Sequence, residues 1–117
     1  MFKIKINAIM DSIPAMRKVA TQTMSGRTAI QVARLIREIE REAKSFEEVR
    51  KALLEKYGTV DGGQITIAND VMAHYNEEIQ NALNEEVEIN AEKLDMSLLE
   101  TVELTPLEAI TLMNFAE

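Results

Sequence analysis

The chain has 117 residues, 46% of them apolar and 28% charged, with no cysteine and a net charge of −7. That length and balance predict one globular domain over residues 1–117 and argue against a disordered chain. The lack of cysteine excludes disulfides, thiolate metal sites and cysteine nucleophiles, and fits a reducing, cytoplasmic compartment. Residues 1–6 alternate lysine with apolar side chains and carry no signal-peptide pattern; nothing in the sequence approaches the apolar length of a bilayer span, so no membrane partner is expected.

The net charge conceals an asymmetry. Residues 1–56 hold 12 of the 13 Lys and Arg against 7 of the 20 Asp and Glu, whereas residues 57–117 hold only Lys93 against 13 acids, giving +5 and −12. Either the two halves lie against each other and neutralise part of this field, or each displays its charge to a partner, the basic half to an anion and the acidic half to a basic surface. Duplex nucleic acid is not expected as the ligand, because an acidic chain with no Trp, two Tyr and three Phe lacks both the positive surface and the stacking platform.

In chain order, residues 2–9 alternate, with Phe2, Ile4 and Ile6 opposed to Lys3, Lys5 and Asn7, which predicts a half-buried strand. Asp11 or Ser12 then offers a helix cap and Pro14 a first turn, with Met16, Val19 and Ala20 at helical spacing and Ser25-Gly26 as the stop. The strongest pattern runs from Thr28 to Tyr57: Ala29, Val32, Ile36, Ile39, Ala43, Phe46, Leu53 and Tyr57 recur at three- and four-residue steps. Roughly 30 residues make a rod of about 45 Å. Leu35, Val49 and Leu54 widen its apolar stripe beyond a coiled-coil seam, so the rod is read as packing on a domain core. Ser45 with Glu48 resembles a capping box and marks a candidate kink near Lys44, and Gly58 reads as the stop. Asp61-Gly62-Gly63 is a turn signal, followed by a strand over 64–67. Asn69 or Asp70 caps a helix carrying Val71, Tyr75, Ile79, Ala82 and Leu83; Val87 and Ile89 mark another strand. Ser97 with Glu100 suggests a short capped helix, Val102–Leu104 a strand, and Thr105-Pro106 with Glu108 a terminal helix bearing Leu107, Ile110, Leu112, Met113 and Phe115. The expected fold is α+β and mostly helical, with one long central helix packed with a small antiparallel sheet of short strands.

Chemistry is sparse. His74 is the single histidine, so no second imidazole is present for a two-histidine metal site. Walker, dinucleotide-binding and calcium-loop patterns are absent. No catalytic residue, metal site or cofactor is therefore assigned, and an enzyme is not expected. Glu77-Glu78 and Glu85-Glu86 are adjacent on a helix and diverge as a solvated face. The scattered methionines are read as core filling. One constellation points to binding: Arg27, Arg34, Arg37, Arg41 and Lys44 fall within an arc of about 100° on the long helix, opposite its apolar stripe. Such a row suits charge-assisted bonds to phosphates. A plain solvated face, with Arg34 pairing along the helix to Glu38, is the alternative.

Several segments resemble a family of small proteins encoded by tailed bacteriophages, largely of unknown function. They are Lys3-Ile4-Lys5-Ile6-Asn7, Ile13-Pro14-Ala15, Thr28-Ala29, Phe46-Glu47-Glu48 running to Lys56-Tyr57-Gly58, Glu86-Val87-Glu88-Ile89 and Leu104-Thr105-Pro106. The resemblance implies a viral origin and the cytoplasm of an infected bacterial host, and it brings no catalytic residues. The expected function is a non-catalytic accessory protein that binds a host component stoichiometrically, in counter-defence, as an inhibitor of a host protein or by sequestering a small anionic ligand. The alternative is a virion or tail-assembly component or chaperone. A homo-oligomer is expected, because the rod is longer than a domain of this size covers.

Overall fold

The structure is a computed structural model describing Met1–Glu117. It is α+β and mostly helical, 51 × 27 × 23 Å in extent, and organised on one long helix. The first strand, β1, is shorter than its alternation predicts: it spans Phe2–Lys5, and helix α1 (Ile6–Ala20) starts directly after it. The reason is that Ile6, Ile9 and Met16 also satisfy a helical repeat, and all three are buried. The Ile6 amide donates to the Glu85 carbonyl at 3.0 Å, the point where strand pairing ends and the helix begins. Neither Asp11 nor Ser12 is a cap. Ser12 is fully buried inside α1, where its hydroxyl donates to the Ile9 carbonyl at 2.7 Å. Pro14 also lies inside the helix, on its exposed side.

Ser25 does not stop α1 but opens α2 (Gly26–Tyr57), accepting the Thr28 amide on its side chain. The helix is 32 residues long and runs through Lys44 and Ser45 without the break that the Ser45/Glu48 pattern suggested. Val32, Leu35, Ile39, Ala43 and Phe46 form its buried stripe, packed with Ile9, Met16 and Val19 of α1 and Leu112 and Phe115 near the other end of the chain. Beyond Phe46 no residue of α2 is buried.

That exposed end of α2 carries an arm. Strand β2 (Gly58–Asp61), which the sequence pattern did not disclose, pairs with β3 (Gln64–Ile67) through a two-residue turn. Gly62 and Gly63 both take positive φ, 59° and 83°, as that mirror-image turn demands. Gly58 is a stop of a different kind from a left-handed cap. Its backbone is extended, and a Cβ there would collide with the Ile65 side chain and the Leu54 carbonyl. Helix α3 (Asn69–Leu83) then returns along α2 and contains no buried residue. Its last residues Ala82 and Leu83 pack half-buried against the core, and it meets α2 in an edge-on contact of Tyr75 with Tyr57, centroids 6.5 Å apart, and a 3.4 Å ion pair of Glu78 with Lys56.

Strand β4 (Glu86–Ile89) pairs antiparallel with β1, so the short strands form two separate two-stranded units. Ile4 faces Val87 and Phe2 faces Ile89, while Lys3 stands opposite Glu88 and Lys5 opposite Glu86. Asp95, not Ser97, caps the short helix α4 (Met96–Leu99), accepting both the amide and the hydroxyl of Ser97. Val102–Leu104 is not a strand: the Val102 amide closes a turn onto the Leu99 carbonyl and its side chain is buried. Helix α5 (Pro106–Met113) has the expected Thr105/Glu108 capping box, and Phe115 behind it is fully buried edge-on to Phe2. Of the seven methionines Met16 is buried and Met10 and Met24 pack half-buried against the core, whereas Met1, Met96 and Met113 are exposed, so core filling describes only part of the set.

Two outcomes follow from this division of α2. Ile39→Asp places an unpaired carboxylate at a position 1% exposed, costing several kcal/mol against a total of about 5–15, and cooperative thermal melting should be lost. Native-state amide exchange should separate the two ends of the molecule: α3 and the β2–β3 hairpin, with no buried side chain, exchange through local opening, while α1 and the Val32–Phe46 stretch exchange at the slowest rate. Equal protection throughout would show that the arm has no separate opening.

Candidate functional site

Arg27, Arg34, Arg37, Arg41 and Lys44 are all exposed on the side of α2 away from its buried stripe. The helix places them in a row about 25 Å long, set by 1.5 Å of rise per residue. Within the row, Arg41 is engaged: its guanidinium lies 2.5 Å from Glu38 and 3.5 Å from Glu42. The Arg34–Glu38 pair anticipated from spacing does not form, because Glu38 turns to Arg41. Arg27, Arg34, Arg37 and Lys44 have no carboxylate within ion-pair distance. They do not converge. Arg34 borders one shallow hollow with Met1, Gln31 and Glu92, and Arg37 borders another on the opposite flank of the helix. A convex stripe of diverging cations presents charge to an extended surface and lacks the enclosure that holds a small anion by several arms at once.

A second feature lies along the seam of α1 and α2, where two hollows of about 340 and 280 Å³ share Ala20, Ile36 and Glu40 and so form one groove. The groove exists because Ala20, Ala29 and Ala33 are too small to fill the space between the helices. Apolar side chains line it, including Ile13, Val32 and Ile36, and Arg17, Arg37 and Glu40 stand on its rim. Sequence reading placed Ala29 in the core stripe and missed the groove; the signal was the run of alanines on the flank of that stripe.

A third feature is the outer side of α5. Leu107, Ile110 and Met113 are 76%, 59% and 58% exposed, while Leu112 on the inner side is fully buried. The inner side is fastened by Glu108, whose Oε1 accepts from Lys18 Nζ at 2.7 Å and from the Thr105 amide at 2.9 Å. The Lys18 ammonium, and after it the Thr105 amide, holds the Glu108 carboxyl below its ordinary range. The Ser97 amide and hydroxyl do the same for Asp95.

Lys18–Glu108 and Lys56–Glu78 are the only ion pairs that join the basic half of the chain to the acidic half. The cross-strand pairs Lys3/Glu88 and Lys5/Glu86 stand opposite in register without closing to ion-pair distance. Most of the segregated charge is displayed, with little of it cancelled inside the fold. His74 is exposed on α3, Glu77 is exposed, and Glu78 is half-buried against Lys56. No three His, Asp or Glu side chains converge as metal ligands, and no helix is long and apolar enough to cross a membrane.

No protein-family model matches the chain, and neither a curated protein nor a solved structure is significantly similar to it.

The Glu108 junction sets a testable pH dependence. A carboxyl depressed in the folded state contributes stability that is complete above its unfolded pKa and is lost as the pH falls through its folded value. Glu108→Gln should therefore shrink the drop in melting temperature between pH 7 and strongly acidic buffer. Thr105→Ala, which removes the cap, should cost about 1 kcal/mol at neutral pH.

Proposed function

We propose that the protein acts without catalysis, by stoichiometric binding of a macromolecular partner through the basic face of α2. The observation that carries this reading is the exposure of Arg27, Arg34, Arg37 and Lys44 on one face with no acidic partner in the fold. Their divergence favours an extended acidic protein surface over a small anionic ligand. With the resemblance to phage proteins, this makes the chain an accessory protein that binds a host component in the cytoplasm of an infected bacterium, in counter-defence. A virion or tail-assembly role is the second reading, and the open groove and the bare outer side of α5 favour it.

Replacing Arg34, Arg37 and Arg41 together by Gln tests the first reading. Wild-type protein should capture an acidic host protein from infected-cell lysate, and the triple variant should not. Its melting temperature should fall only modestly, because Arg34 and Arg37 have no ion-pair partner and the pairs lost, Arg41 with Glu42 and with the mostly buried Glu38 carboxylate, are open to solvent on the arginine side. Captured partner should also be released by salt, since exposed charges are screened over about 8 Å at physiological ionic strength. Undiminished capture by the triple variant removes the basic face as the binding surface.

A further inference from the structure

We infer that the outer side of α5 of one copy docks into the α1–α2 groove of the next, joining copies of this chain head to tail; the inference deepens the assembly reading and does not depend on host binding. The two surfaces match in kind. Leu107, Ile110 and Met113 stand at three-residue steps along α5 with no charged residue of that helix among them, Ile110 at the edge that borders Lys5 and Asp11 near α1, the anchor pattern of a helix laid in an apolar groove. These anchors span about 9 Å of helix, and the groove follows α2 from Ala29 to Ala43, about 21 Å, so it accepts the helix with length to spare.

Charge selects the same occupant. The groove rim carries Arg17 and Arg37 against the single carboxylate of Glu40. Helix α5 has no basic residue in its last turn, and Glu117 follows it, so its C-terminal end is negative both by dipole and by side chain. More broadly, the groove belongs to the half of the chain that carries +5 and α5 to the half that carries −12, with only two ion pairs joining the halves inside one copy. A contact between copies brings the unneutralised charges together.

The geometry also fixes the symmetry. Helix α5 meets α1 beside Asn7, Asp11 and Lys18, whereas the groove takes Ile13, Arg17 and Ala20. By the helical repeat these sets lie about 130° apart around α1, on either side of its buried face. The helix of one copy therefore cannot reach its own groove. Docking surfaces that differ and face apart generate a ring or an open chain of copies. A two-turn helix buries less than the roughly 800 Å² per partner of a stable interface, so association is weak, concentration-dependent and salt-sensitive.

Sedimentation of the full chain from micromolar to hundreds of micromolar, at low and high salt, tests this with three variants. Wild type should grow beyond a dimer with concentration and shrink in high salt. Ile110→Asp disables α5; Ala33→Trp fills the groove, and Arg17→Glu reverses its rim at a residue outside the arginine row. Each variant alone should sediment as a monomer with a wild-type melting temperature. An equimolar mixture of Ile110→Asp with either groove variant retains one working interface and should form a dimer and nothing larger. A wild type that stays monomeric at every concentration overturns the inference. So does a pattern in which Ile110→Asp abolishes association while both groove variants retain it, which would mean that α5 pairs with α5. A mixture that fails to associate overturns it as well.

Discussion

The structure depends on one mismatch: α2 is longer than the core it serves. From Val32 to Phe46 it contributes five buried side chains and meets α1, and the segments near both ends of the chain close over that stretch. From Glu47 onward it projects, because residues 84–117 turn back to β1 and α1 in place of following it outward. The hairpin and α3 attach to this projection through half-buried side chains, one aromatic edge and one exposed ion pair. Burying apolar surface yields about 25 cal/mol per Å², so a segment that buries none of its side chains completely is held much less firmly than the core. One continuous helix thus joins a well-packed body to a lightly held arm.

The same topology keeps the charge segregated. The basic row lies on the face of α2 that no element covers, and the acids of α3 lie on the arm, where only Lys56 reaches one of them. β1 and β4 do bring the halves together, and lysines stand opposite glutamates there. These ladder positions are exposed, where opposite charges contribute only a few tenths of a kcal/mol up to about 1. Neutralisation inside the chain is too limited to account for a separation of +5 and −12, which leaves the charge available to other molecules.

Patterns that report on burial were legible in the sequence; those that depend on a competing partner were not. The glycine turn, the Thr105 capping box, the α+β class and the stripe of α2 between Val32 and Phe46 all follow from local chemistry and are present, whereas the stripe's expected ends are not buried: Ala29 is exposed and Leu53 and Tyr57 are half-buried. The start of α1 was misread because Ile4 and Ile6 fit a period of two while Ile6, Ile9, Ile13 and Met16 fit a helix, and the Glu85 carbonyl decides between them from 79 residues away. Val102–Leu104 has strand composition, but the Val102 amide is taken by the Leu99 carbonyl at the end of α4 and its side chain is drawn into the interior, so no ladder forms there. On α5, the sequence pattern names Leu107, Ile110, Leu112, Met113 and Phe115 together; in the fold Leu112 and Phe115 are buried, and Leu107, Ile110 and Met113 stay outside. For the site, the row of cations was readable as a row, but its divergence is a property of a convex surface. The groove was hidden because it is made by alanines, which register in a sequence as helix formers and not as missing volume.

Single exposed apolar residues are ordinary on protein surfaces, and Met1 or Met96 requires no account. The outer side of α5 differs in having three in register on a helix whose orientation is locked by a capping box and an ion pair. The stripe cannot rotate inward without breaking the Lys18–Glu108 bond and withdrawing Leu112 from the core. The groove is equally fixed, since its floor is formed by Val32 and Ile39 of the buried stripe. Both surfaces are therefore pre-formed, and a contact between them orders no further backbone, which lowers the entropic cost of association. Arg37 belongs both to the basic row and to the rim of the groove, so an acidic partner on α2 and a neighbouring copy of α5 draw on the same cation. On the two proposals together, occupation of one would weaken the other, and a weak head-to-tail assembly is the kind that an acidic partner would take apart.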